Sequence, residues 1–369
     1  MKPIHCAIVG CGNISDVYIK NILRFTNLKL MGCSDILREK AEEKAQQYNL
    51  NVYDTNDVFD SDNIDLIINL TIPSSHFEVS LKALEHGKHV YSEKPLALTN
   101  EHATTLLEIA NKNSLFVGCA PDTFLGASWQ TAKKLINDGW IGKPLSATAF
   151  MLCHGHESWH PSPEFYYQKG GGPLFDMGPY YLTVLIYLLG PVKSVFAVGK
   201  KSFDTRLTTS MPKFGEKVIV EIPTHIHATL CFENNIICTL IVSFDTWAHR
   251  LPYVEIYGEK GSLSLPDPNQ FFGTTYYYNQ YMKEWKEVPT CYDIFTNMRG
   301  IGISDMATAI QEKRQFLANG ELARHVVDIM EKIQESVTTG EHLQIETTCP
   351  CLNVFNRITT ASILPDGKT

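Results

Sequence analysis

At 369 residues, with 44% hydrophobic and 20% charged residues, the chain has an ordinary globular composition and enough length for two domains. Its formal net charge of -8 and scattered basic residues exclude a phosphate-backbone binder, so no nucleic acid partner is expected. The most apolar later segment, YYLTVLIYLLGPV, is shorter than the ~20 residues that cross a bilayer, and the start lacks a signal-peptide pattern; the expectation is no membrane and a cytoplasmic location.

In chain order, short apolar runs first alternate with helical patterns. They are IHCAIVG, a helix from about Ser15, LKLMGCSD, REKAEEKAQQY, IDLIINLTI, a helix through FEVSLKALEHG, HVYSEK, a helix through NEHATTLLEIANKN, and SLFVGCAP. Repeated strand, helix, strand order predicts a doubly wound parallel sheet with helices on both faces, an α/β Rossmann domain over residues 1–122. Beyond about residue 145 the pattern turns to alternating strands joined by tight turns at Asn234-Asn235 and Glu259-Lys260-Gly261. This predicts a largely antiparallel open sheet. Two helical stretches follow, SDMATAIQEKRQFLANG and ARHVVDIMEKIQESVTTG, the second ending at Gly340 as helix C-caps do. Residues 123–369 therefore read as one α+β domain. The ten cysteines form no CxxC pair, which fits reduced core thiols rather than a disulfide framework.

The first strand runs into Gly10-Cys11-Gly12-Asn13-Ile14-Ser15, a GxGxxS variant of the dinucleotide fingerprint. The first glycine permits a tight turn, the second lets backbone approach a pyrophosphate, and the third position must be small for helix and strand to pack. The helix that follows offers unpaired N–H groups to phosphates, so Gly10, Gly12, Asn13 and Ile14 are candidate cofactor contacts. Asp35 closes the next strand, 20 residues after Ser15. A carboxylate there accepts a ribose diol and repels a 2′-phosphate, which favours NAD over NADP. Two readings compete with this one: Asp35 as a helix N-cap, and Arg38 as a phosphate partner.

Three further segments carry a resemblance. Asn69-Leu70-Thr71-Ile72-Pro73 with His76, then Glu93-Lys94-Pro95, then GGGPLFDMGPYY at residues 170–181 follow the fingerprint. This order and spacing resembles the Gfo/Idh/MocA family (glucose-fructose oxidoreductase, inositol dehydrogenase and rhizopine catabolism) over nearly the whole chain. The resemblance implies Thr71, Pro73, His76, Glu93 and Lys94 on the cofactor side, with Lys94 beside the nicotinamide and the substrate hydroxyl. It implies that Asp176 holds a substrate hydroxyl or orients the proton-transfer residue. Four residues later the family often has histidine; this chain has Tyr180, which implies a tyrosine-based acid/base. A homo-oligomer paired through the second-domain sheet is also implied.

The residues by themselves support part of this. Pro179 can start a helix, placing Asp176 near its entry; where the turn is already helical, the i, i+4 spacing puts Asp176 and Tyr180 on one face. Oxidising an alcohol requires a positioned base. Free tyrosine and lysine, with pKa values near ~10 and ~10.4, need a neighbouring positive charge or desolvation to serve. Which of Lys94 and Tyr180 takes the proton stays open.

Residues 154–172, HGHESWHPSPEFYYQKGGG, bring His154, His156, Trp159 and His160, whose donors, acceptors and ring faces suit a sugar. Trp247 and His249 alternate at a strand end in FDTWAHRLP, and Asp122 follows the sixth strand, where the family's chain enters its second domain. His154-x-His156 with His160, and His225-x-His227, have the look of metal half-sites. Neither has a second acid or cysteine at ligand spacing, so no metal is expected. The leading reading is an NAD-dependent dehydrogenase of a secondary hydroxyl on a sugar, cyclitol or glycoside. The alternatives are glycoside cleavage by transient oxidation and elimination with bound NAD, and a non-catalytic NAD- and sugar-sensing regulator.

Overall fold

Apolar runs rich in β-branched residues form the first six strands in the computed structural model, which describes residues 2–355. Met1 and residues 356–369, the tail of the 123–369 assignment, lie outside the described residues. The strands are β1 (Ile4–Val9), β2 (Leu28–Ser34), β3 (Asn51–Val52), β4 (Leu66–Asn69), β5 (His89–Ser92) and β6 (Val117–Cys119). Between them run α1 (Ser15–Ile22), α2 (Arg38–Tyr48), α3 (Asp57–Asp60), α4 (His76–Glu85) and α5 (Asn100–Lys112). All pairings are parallel, in the order β3-β2-β1-β4-β5-β6, the doubly wound sheet expected from the sequence. Every residue of β4 is buried, as a strand covered on both faces must be. The order reverses between β1 and β4, and sheets of this kind bind ligands outside the carboxyl ends of the strands at that point. The segments following Val9 and Asn69 form this crevice.

The later part of the chain opens with α6 (Ala127–Asn137), β7 (Pro144–Leu152), α7 (Gly172–Leu189) and β8 (Val192–Lys200). Then come β9 (Thr205–Leu207), β10 (Lys217–Ile219), β11 (His225–Phe232), β12 (Ile237–Ser243) and β13 (Val254–Gly258). The remaining elements are β14 (Gly261–Leu265), β15 (Thr275–Asn279), β16 (Lys286–Val288), α8 (Ile301–Glu312), α9 (Gly320–Thr339) and β17 (Leu343–Gln344). One sheet runs β16-β15-β14-β13-β7-β12-β11-β8-β17; β7 and β12 pair in parallel and the other neighbours antiparallel. Asn235, at φ +67, turns the chain from β11 into β12. The segment YYLTVLIYLL is a core helix: α7 buries Leu182, Val184, Leu185 and Ile186 and packs on β7, β11 and β12. Among the described residues no helix is long and apolar enough to cross a membrane, and no disulfide forms.

Contacts divide the chain differently from the expected boundary between residues 122 and 123. The first unit gathers residues up to Leu125 together with Thr296–Val327; the second comprises Gly126–Phe295 and Asp328–Val354. The reason lies at the edge strand β6. Cys119 N–H donates to Ala318 C=O at 3.0 Å, Gly118 bridges Asn319, and α8 buries Ile301, Ile303 and Met306. The returning segment thereby covers a strand edge that would otherwise present unpaired backbone groups.

Candidate active site

After β1 the backbone turns through Gly10 at φ +101, where a Cβ would stand 2.6 Å from the Leu70 carbonyl carbon and 2.7 Å from Thr71 N. Only glycine fits there. A Cβ on Gly12 would meet nothing within 4 Å, so this glycine answers no packing need of the polypeptide. The space beside it, at the start of α1, is a cradle that fits a dinucleotide pyrophosphate. Ile14 holds the N-cap position of α1 without a side-chain cap, and it and Asn13 are exposed. Ser15 is fully buried and turns its hydroxyl to Gly12 O at 2.7 Å, which shows why the third position is small.

Asp35 is not the N-cap of α2; Leu37 holds that place. The Asp35 carboxylate accepts Cys11 N–H at 2.7 Å and Leu37 N–H at 2.8 Å, tying the glycine loop to the end of β2. A carboxylate has about four lone-pair sites, so capacity for a ribose diol remains. Arg38 is taken up by Glu42 at 2.8 Å and by Asp54, two acids that oppose a 2′-phosphate.

After β4, Asn69 organises the next turn, its Nδ2 donating to His76 O and Ser80 Oγ, its Oδ1 accepting from Thr71 N–H and Oγ1–H. His76 is fully buried, with Nδ1 2.6 Å from Pro95 O and Nε2 2.9 Å from Thr71 O. Burial holds its pKa below the ordinary histidine value. The ring lies between these two carbonyls and links the Thr71 turn to the Glu93-Lys94-Pro95 turn. His76 thus positions both loops.

Glu93 is buried and accepts Tyr18 O–H at 2.7 Å and Lys94 N–H at 3.0 Å. Thr71, Pro73 and Lys94 keep partial exposure. Asp122 is buried, and its Oδ2 accepts the N–H groups of Gly300 (2.8 Å) and Gly302 (3.0 Å), so it caps α8. Burial raises its pKa to about 6, against the two backbone bonds that lower it.

In the second unit, α7 begins at Gly172, so Pro179 lies inside the helix rather than at its start. The proline forgoes one backbone hydrogen bond, and Asp176 and Tyr180 stand one turn apart on one face. Asp176 Oδ2 lies 3.0 Å from Nε2 of His156. Trp159, Tyr166 and Phe244 surround the His156 ring, and its Nδ1 is buried without a hydrogen-bond partner. A proton on Nδ1 would be an orphaned buried donor, so the ring carries its proton on Nε2 and donates it to Asp176. His160 accepts Ser162 N–H at 3.1 Å, and Trp159 is exposed.

Arg206 escaped sequence reasoning. Its guanidinium donates to Glu157 at 2.8 Å, Asp245 at 3.0 Å, and the carbonyls of His154 and Phe244, while Tyr167 O–H donates to the second Glu157 oxygen. These partners of Arg206 sit 38 to 52 positions away along the chain, so no local spacing could have signalled it. His154 stacks on Trp247 with ring centres 3.3 Å apart, and His249 Nδ1 is buried without a partner. The three histidines of the 154–160 segment thus serve different partners. His225 and His227 bring their Nε2 atoms within 2.9 Å. Among the described residues no group of three or more His, Cys, Asp or Glu could hold a metal ion.

Two family profiles match the chain: an oxidoreductase family with an NAD-binding Rossmann fold over residues 4–120, and the GFO/IDH/MocA C-terminal domain over residues 129–264. The scyllo-inositol 2-dehydrogenase (NAD(+)) of Bacillus subtilis is 28% identical over 190 residues, 51% of this chain and 54%, about half, of that protein. The D-glucoside 3-dehydrogenase of Escherichia coli is 29% identical over 274 residues, covering 72% and 77% of the two chains. An NAD binding oxidoreductase from Klebsiella pneumoniae superposes with a TM-score of 0.82 at 18% identity, over 93% of this chain and 99% of its own. That likeness shows the fold.

Proposed function

Because this chain belongs to the Gfo/Idh/MocA family of NAD-binding oxidoreductases, we propose that it transfers hydride between NAD and a secondary hydroxyl of a sugar, cyclitol or glycoside. The observation that carries the reading is the hydrogen bond from His156 to Asp176, on the same helical turn that bears Tyr180. An acid held in place by a buried donor is suited to orienting a substrate hydroxyl, and a phenol one turn away is suited to exchanging its proton. Relatives named for inositol and glucoside oxidation support the substrate class.

Bound NAD supplies the hydride acceptor. In this reading the Gly12 backbone and the start of α1 take the pyrophosphate, and Asp35 takes the ribose. NAD rather than NADP is supported by Asp35 and by the acids on Arg38. We assign the departing proton to Lys94 and Tyr180. Water exclusion and hydroxyl recognition fall to the aromatic and histidine residues around Asp176, Trp159 and His160 among them. The solvent-facing side of the large sheet, where Phe196 and Val198 are 40% and 55% exposed, is assigned to pairing with a second copy; a monomer in sedimentation would refute that assignment.

The test mixes purified protein with NAD and a panel of monosaccharides, inositols and glycosides, following NADH absorbance beside product mass. NADH formation that Lys94→Ala abolishes is expected. Aglycone release without net NADH would replace the proposal with redox-assisted cleavage, and NAD binding with no product from any sugar would replace it with a regulator.

A further inference from the structure

A cavity of about 430 Å³ opens in the second unit beside the turn that carries His156. Its volume falls within the ~300–1,000 Å³ usual for small-molecule sites. Three of its walls are large apolar side chains left unusually open: Trp247 is 82% exposed, Leu207 53% and Phe203 48%. Exposed apolar surface gathered around a concavity marks a binding site more often than scattered residues do. Trp247 is also braced, one face of its indole lying on the His154 ring, which leaves the other face as a rigid platform.

The polar lining selects among ligands. Arg206 and Glu157 form the floor, with the hydroxyls of Thr205 and Thr209 nearby. Arg206 looks like an anion receptor, but its guanidinium already faces two buried carboxylates, Glu157 and Asp245. Its charge is already offset by those carboxylates, which leaves little for a phosphate or carboxylate to gain. Ring platform, hydroxyl partners and a compensated cation together describe an uncharged sugar ring.

The position of the cavity relates it to the acid on α7. His154 and Glu157 line it, and His156, between them in the chain, bonds to Asp176. We propose that this cavity holds a second, uncharged sugar ring, so that the substrate is a neutral disaccharide or glycoside rather than a free or phosphorylated monosaccharide. The inference rests on the reading that Asp176 holds the reacting sugar.

Calorimetry on the NAD-loaded protein tests it, with glucose, glucose 6-phosphate, phenyl glucoside, maltose and cellobiose as probes. At least one two-ring probe is expected to bind on the order of ten-fold more tightly than glucose, the worth of an aromatic platform. Trp247→Ala, which removes the platform, and Leu207→Trp, which fills the cavity, should each erase that margin. No margin for any two-ring probe, a margin that survives both variants, or tighter binding of glucose 6-phosphate would overturn the proposal. NADH formation is scored separately: a variant-sensitive margin without NADH sinks the dehydrogenase reading alone, whereas NADH from monosaccharides with no margin sinks the cavity alone.

Discussion

His156 reaches Asp176 from 20 positions away, Nε2 to Oδ2 at 3.0 Å, and its other ring nitrogen is buried with no hydrogen-bond partner. The imidazole is therefore committed to the acid. A hydrogen bond to a charged group is worth ~1.5–3 kcal/mol, so His156→Ala is expected to lower kcat/KM for the sugar by about 10- to 100-fold. NAD affinity should hold, and His156→Gln, which keeps a donor, should recover part of the loss. Equal losses in both variants, or weakened NAD binding, would show that His156 only supports its loop.

The two glycines of the fingerprint differ in what a methyl group would meet. Gly10→Ala places a Cβ against the Leu70 carbonyl at a positive φ, and strain of this kind costs ~1–3 kcal/mol before the clash is counted. Gly12→Ala meets no protein atom within 4 Å. Thermal melts should show destabilisation for Gly10→Ala and none for Gly12→Ala, while NAD titration shows at least a ten-fold loss for Gly12→Ala. A Gly12→Ala protein that binds NAD normally would place the pyrophosphate elsewhere.

Asp35 carries the cofactor preference. Asp35→Asn keeps an acceptor oxygen for one of the Cys11 and Leu37 N–H groups, which bond to different carboxylate oxygens, and removes the charge that repels a 2′-phosphate. The NADH to NADPH affinity ratio, read by fluorescence titration, is expected to fall by about ten-fold. An unchanged ratio would mean that Asp35 only braces the loop.

Asp122 makes stability depend on pH. It titrates at about 6 in the native state against 3.8 ordinarily, so between those values the native state binds the extra proton. Stability then falls as pH rises through that window, by up to ~3 kcal/mol, and the loss is complete above pH ~6. Asp122→Asn keeps an acceptor for Gly300 and Gly302 without the buried charge. Urea unfolding should show it ~1–3 kcal/mol more stable than wild type near pH 8, with little difference near pH 4. A variant destabilised at both pH values would contradict the assigned cost.

The fold was largely legible because its signals are local. Alternation of apolar runs and helical periods marked the parallel sheet, and Gly10, Gly12 and Ser15 sit in a turn whose geometry depends on neighbours in the chain. Asp176 and Tyr180 were legible only on a condition: helical spacing puts them on one face, but Pro179 pointed to a helix start later than the observed one at Gly172. The partners of His76, Glu93 and Asp122 were not legible, for the opposite reason. Each is buried among partners from other segments, which make it a brace or a cap.

By itself the sequence determined the alternation of strands and helices and the dinucleotide turn, since periodicity and turn sterics act over a few residues. Only the tertiary structure decided that Thr296–Val327 returns to the first unit, that Asp122 caps α8, that His156 serves Asp176, and that Arg206 is neutralised by two acids. Those outcomes depend on which buried polar groups find partners once distant segments pack. Burial makes such pairing obligatory, but the identity of the partner is set by the fold rather than by spacing along the chain.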